Sequence, residues 1–78
     1  MGRVYMPSRI RELREARGWS RGELARRMRE AGLGGLHKLD RRLVWAWERT
    51  GKGSRRPNGD HVTALCEVCG TPPGTFYG

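Results

Sequence analysis

At Gly18-Trp19-Ser20 the chain has to end one helix and begin another with almost nothing in between. Glycine accepts the left-handed backbone that closes a helix. Ser20 followed by Glu23 is the Ser-x-x-Glu pattern of a capping box, in which the serine oxygen receives an otherwise orphaned N–H of a new helix. The spacing therefore predicts two short helices meeting at a tight corner. The first runs from about Arg9 to Arg17, entered through Pro7 and a Ser8 cap, with Ile10 and Leu13 inward. The second starts near Arg21 and carries Leu24, Ala25 and Met28 on one face.

The rest of the chain offers helical material as well. The second helix should fade at Ala31-Gly32, because Gly32, Gly34 and Gly35 follow closely and glycine gives up the most backbone freedom in a helix. An extended glycine-rich loop over 32–39 leads to Asp40, placed as an N-cap for a third helix that reaches about Thr50. Gly51 and Gly53 end that helix, and Lys52, Arg55 and Arg56 make the following loop basic. Pro57-Asn58-Gly59-Asp60 is turn chemistry, and Asn58 or Asp60 can cap a fourth helix from about His61 to Cys69, with Val62, Leu65, Cys66 and Cys69 inward. Gly70 stops it, and Thr71-Pro72-Pro73-Gly74 leaves room for one more short turn that docks Phe76 or Tyr77. No strand alternation, repeat or linker interrupts the pattern, so 1–78 reads as one all-α domain of four or five helices, with 1–7 as an N-terminal arm.

The third helix has two faces of opposite character. Leu43, Val44 and Trp47 form an apolar stripe, while Arg42, Trp45, Ala46 and Arg49 fall together on the other side. Asp40 at the cap projects Arg41 and Arg42 from the first turn. An outward face made of arginines, a small residue and an indole is unlike an ordinary solvated helix face. A short helix offering arginines from its N-terminal end has the geometry of a helix entering a DNA major groove.

Charge points the same way. Lys and Arg number 16 against 8 Asp and Glu, giving a net charge of +8 that favours a polyanionic partner. An anionic membrane is the other polyanion to weigh, but no run approaches the roughly 18 apolar residues of a spanning helix, and no signal-peptide core opens the chain, so a cytoplasmic, nucleoid-associated protein is expected. The two cysteines, Cys66 and Cys69, are too few for a secreted disulfide framework. As a CxxC at a helix C-terminal end they lack the helix N-terminus that stabilises a thiolate, and zinc would need His61 and His37 as further ligands; small buried hydrophobes are the better reading. No Ser, His and Asp constellation or phosphate-cradling glycine motif is present, so neither enzyme nor cofactor is expected.

The run Ile10 to Ala25, then Val44-x-x-Trp47-Glu48, Pro57, and Leu65-Cys66-x-x-Cys69-Gly70, taken in this order, resembles the Cro and lambda-repressor type of helix-turn-helix protein, the XRE family. The resemblance covers nearly the whole chain. It implies that Arg21 opens the second helix near a phosphate, that Arg41 and Arg42 reach base edges, and that Ala46 faces the groove one turn later. It also implies a buried ion pair between Arg14 and Glu48 that ties the scaffold to the reading helix. This chain departs from the family in the long connection between Met28 and Asp40, where a loop that long no longer dictates the angle between helices and packing through Val44 and Trp47 must do so.

The expected function is thus sequence-specific binding of double-stranded DNA by a transcriptional regulator, a repressor of phage-repressor type, through Arg21, Arg41, Arg42, Trp45, Ala46, Arg49, Lys52, Arg55 and Arg56. Two arginines at the helix tip predict G·C pairs in the site, since arginine pairs bidentately with guanine. Trp45 has two open roles, packing beneath the glycine-rich loop or touching sugar and thymine methyl. Arg55 and Arg56 suit phosphate contacts, and Arg3 and Lys38 suit either phosphate or plain solvation. Pairing as a homodimer on DNA is open. The rival class is a protein-interaction or zinc-stabilised adaptor built on the same scaffold.

Overall fold

The computed structural model describes residues 4–31 and 38–77. Arg3, His37 and most of the expected loop over 32–39 lie outside the described residues. Helices α1 (Pro7–Ala16), α2 (Arg21–Glu30), α3 (Arg41–Glu48) and α4 (Gly59–Cys69) are followed by a 3-10 turn, Pro73–Phe76. This is the all-α helix-turn-helix architecture.

Local chemistry sets most boundaries. Ser20 Oγ accepts from the Glu23 N–H at 3.1 Å, opening α2 where expected. Only that half of the capping box forms, because the Glu23 carboxylate turns to Arg26 and to Arg27. Asp40 Oδ1 accepts from the Arg42 and Leu43 N–H groups at 2.9 and 3.3 Å. Asn58 closes a complete box with His61, each side chain accepting from the other's backbone N–H, and α4 consequently starts at Gly59, ahead of the expected His61. Gly18 (φ +71°) makes the corner, letting the Trp19 N–H return to the Arg14 carbonyl at 3.1 Å.

Three expectations are corrected. Helix α1 begins at Pro7 with no side-chain cap, so Ser8 lies inside it; proline at the first position loses only an N–H that had no helical partner anyway. Helix α3 ends at Glu48 rather than Thr50, and Arg49 is extended (φ −94°, ψ 147°), so it does not continue the outward stripe. The chain then folds back, with the Arg55 N–H on the Ala46 carbonyl at 3.0 Å. Finally, of the two inward cysteines, Cys69 is buried but Cys66 is only half-buried at the edge of the core, and Ala64 is a fully buried core residue.

The core gathers Ile10, Leu24, Met28, Val44, Trp47, Leu65 and Phe76, all fully buried. Each such side chain contributes roughly 1.5–3 kcal/mol of hydrophobic transfer. Helix α3 packs on α1 and α2, α4 packs on α2, and the terminal turn closes on α1 and α4. The Trp47 indole lies against the His61 ring, centroids 4.9 Å apart, and its Nε1 is buried with no hydrogen-bond partner among the described residues.

The N-terminal segment is more than an arm. Tyr5 is buried, pairs with Tyr77 in an isolated antiparallel bridge, and donates its hydroxyl to the Trp47 carbonyl at 2.7 Å. The Met6 N–H adds a bond to the Phe76 carbonyl at 2.8 Å. Both ends of the described chain are thereby pinned beneath the C-terminal end of α3.

Candidate nucleic-acid interface

Helix α3 is held so that its first turn projects. At its far end the Glu48 carboxylate receives Arg14 twice, Nε at 2.8 Å and Nη2 at 3.0 Å, with side chains only 9% and 3% exposed. Arg14 Nη1 also donates to the Trp19 carbonyl at 2.9 Å. The hydrogen bond to Glu48 raises the Arg14 pKa despite the opposing effect of burial. The ion pair implied by the resemblance is thus present, and it has a third member: Arg21 Nε donates to Glu48 Oε1 at 3.2 Å. Arg21, expected at a phosphate, is first a link between α2 and α3.

That link helps answer the long connection before α3. Arg29 of α2 donates to the Leu39 carbonyl, and Leu39 is buried. The placement of α3 against α2 is therefore fixed by Arg21, Arg29 and Leu39 as well as by the expected packing of Val44 and Trp47.

Between the start of α2 and the outer side of α3 lies an open cavity of about 740 Å³. Ser20, Arg21 and Gly22 line one side, and Arg41, Arg42, Trp45 and Ala46 the other. Ala46 is 7% exposed, so it lies recessed beside the exposed indole of Trp45, where the sequence placed it outward on the groove face. Arg49 stacks its guanidinium 4.7 Å from the Trp45 ring centroid and donates Nε to the Lys52 carbonyl at 2.7 Å. On the other flank of α3, Arg55 lines a second concavity with Lys38 and Arg42. A third concavity, bounded by Arg49, Arg55 and Arg56, runs toward Tyr5.

The arginines divide sharply by partner. Arg9, Arg11, Arg26 and Arg27 pair with glutamates on their own helices. Arg14 and Arg21 share Glu48, while Arg17 and Arg29 donate to backbone carbonyls. The guanidinium groups of Arg41, Arg42, Arg55 and Arg56 have no such partner among the described residues and are exposed. The guanidinium groups of α1 and α2 are thus engaged within the fold, by carboxylates or backbone carbonyls, while those of Arg41, Arg42, Arg55 and Arg56 are left open along α3 and the loop after it. Sequence counting could not show this; only the acid positions at i±3 and i±4 on α1 and α2 hint at it.

The CxxC sits apart. Burial raises the pKa of both Cys66 and Cys69. His61 uses Nδ1 to accept the Asn58 N–H. Among the described residues no group of three or more His, Cys, Asp and Glu is gathered to hold a metal. No helix among them is long and apolar enough to cross a membrane.

Helix α2 entered from a tight corner and packed against α3, with α3 presenting the unpaired arginines Arg41 and Arg42, defines the helix-turn-helix class. The family model for the helix-turn-helix domain matches residues 8–75, and the chain belongs to that family. Neither a search of the curated proteins nor one of the solved structures returned a match. Membership points to double-stranded DNA as the partner class and transcription regulation as the setting, in a family that is typically not enzymatic.

Proposed function

We propose that this chain is a single helix-turn-helix domain that binds double-stranded DNA sequence-specifically and regulates transcription, as a repressor of the phage-repressor type that occludes a promoter. The observation that carries the reading is the division of the arginines: those on α1 and α2 are engaged internally by carboxylates or backbone carbonyls, while Arg41, Arg42, Arg55 and Arg56 are left for an external polyanion. Helix α3 enters the major groove N-terminal end first. Arg41 and Arg42 reach base edges, which favours G·C pairs in the site. Arg55, Arg56 and Lys52 hold phosphates on one flank, and Arg21 reaches a phosphate from the cavity wall with the part of its guanidinium that Glu48 leaves open. Two copies pair on DNA rather than in solution, because the C-terminal turn is already spent on the core through Phe76.

The test is selection from random duplex DNA, followed by a salt series on the selected and random duplexes. A preferred sequence containing G·C pairs, bound with a steep negative slope of log K against log salt, is expected. Equal affinity for all duplexes removes the sequence-specific reading.

A further inference from the structure

Among the described residues, Trp45 is the one large apolar side chain exposed on the proposed groove face, at 43%, amid the open arginines. Its setting is ordered: Arg49 lies over one side of the indole, and Arg49 is in turn held by the Lys52 carbonyl. The recessed Ala46 leaves Trp45 as the apolar group that an approaching surface meets first.

We propose that Trp45 determines specificity by reading the C5-methyl group of a pyrimidine in the major groove, at the base pair next to the one met by Arg42; this rests on the DNA-binding reading above. Base edges in the major groove are donors and acceptors, and the thymine methyl is their apolar exception. An indole among arginines therefore finds its match on DNA in a methyl group. Spacing agrees. Trp45 stands three residues after Arg42 on the same side of α3, a rise of about 4.5 Å along the helix, comparable with the roughly 3.4 Å between successive base pairs. An Arg42 contact to guanine thus brings Trp45 to the neighbouring step. The Arg49 stack limits the rotamers open to the indole, so less freedom is lost when the methyl is covered.

The experiment uses the selected duplex with each thymine changed singly to uracil, which removes the methyl and keeps every hydrogen-bonding group. For the unsubstituted protein, one replacement, beside the guanine at which Arg42→Ala relaxes preference, should weaken binding about fourfold, the effect of burying one methyl group. Trp45→Ala should bind thymine and uracil duplexes alike at that position, and 5-methylcytosine placed there should restore affinity for the unsubstituted protein. If no uracil replacement weakens binding, or if Trp45→Ala loses as much as the unsubstituted protein, the proposal is overturned while sequence-specific binding stands. A protein that prefers no duplex at all overturns the function itself. Because a uracil series without effect on the unsubstituted protein overturns the proposal by itself, a poorly folding Trp45→Ala does not leave it beyond test.

Discussion

Arg14 and Glu48 are joined by a two-pronged ion pair across 34 positions of sequence, with the carboxylate side chain 3% exposed. Removing one member of such a pair leaves a buried charge unpaired and costs roughly 3–5 kcal/mol. Glu48→Ala should therefore lower Tm by more than about 10 °C for a domain of this size. Glu30→Ala, which breaks only a surface pair with Arg26, should move Tm little. Thermal melts followed by circular dichroism decide it, and equal small shifts would contradict the structural role assigned to Glu48.

Tyr5→Phe deletes the bond to the Trp47 carbonyl, leaving a buried acceptor without its donor at a cost of about 1–3 kcal/mol. The pH dependence has a definite sign. Burial, first, and nearby Tyr77 raise the Tyr5 pKa above the usual 10.0. The unfolded chain thus releases its proton first, and the stability this group contributes is full below pH 10 and lost as pH rises beyond it. Urea midpoints at pH 8 and pH 11 should converge between the unsubstituted protein and Tyr5→Phe; a constant gap would show that the hydroxyl is not the source.

His61 gives the opposite dependence. Burial lowers its pKa from 6.5, against the opposing pull of Asp60. Its stabilisation is present above pH 6.5 and fades as pH falls through the lower folded value, since the protonated ring is better accommodated in the unfolded chain. Protonation at Nδ1 also ends the bond from Asn58. His61→Gln keeps a capping side chain at that position and removes the titration. Between pH 8 and pH 5 the unsubstituted protein should lose more of its urea midpoint than His61→Gln loses; the same loss in both would assign the acid sensitivity elsewhere.

Arg42 and Arg55 flank one concavity yet carry different proposed tasks. Arg42→Ala should cost about 1–3 kcal/mol on the selected site and relax preference at one position, a guanine. Arg55→Ala should weaken selected and random duplexes alike and reduce the slope of log K against log salt by about one. Binding isotherms across a salt series separate the two, and an equal loss on both duplexes for Arg42→Ala would make it a phosphate contact.

What the sequence disclosed was chiefly local. Ser20, Asp40 and Asn58 cap helices through bonds that span two or three positions, so their chemistry is legible in neighbouring residues. The Arg14 to Glu48 pair was reachable through the family resemblance. Tyr5 escaped notice because its partner carbonyl is 42 positions away and belongs to the backbone, which no side-chain pattern reports. The early end of α3 and the recessed position of Ala46 were likewise hidden. Both depend on the returning Arg55 backbone and on α2 standing close by, and helical periodicity alone treats α3 as if it stood by itself.

Helix α3 is anchored by Tyr5 from the N-terminal end, by Arg14 from α1, and by Arg21 from the first turn of α2. The aim of the reading helix is therefore set by residues distant from it in sequence, on three separate segments of the fold. A substitution at Tyr5 or Arg14 would thus redirect Arg41 and Arg42 without altering the surface they present.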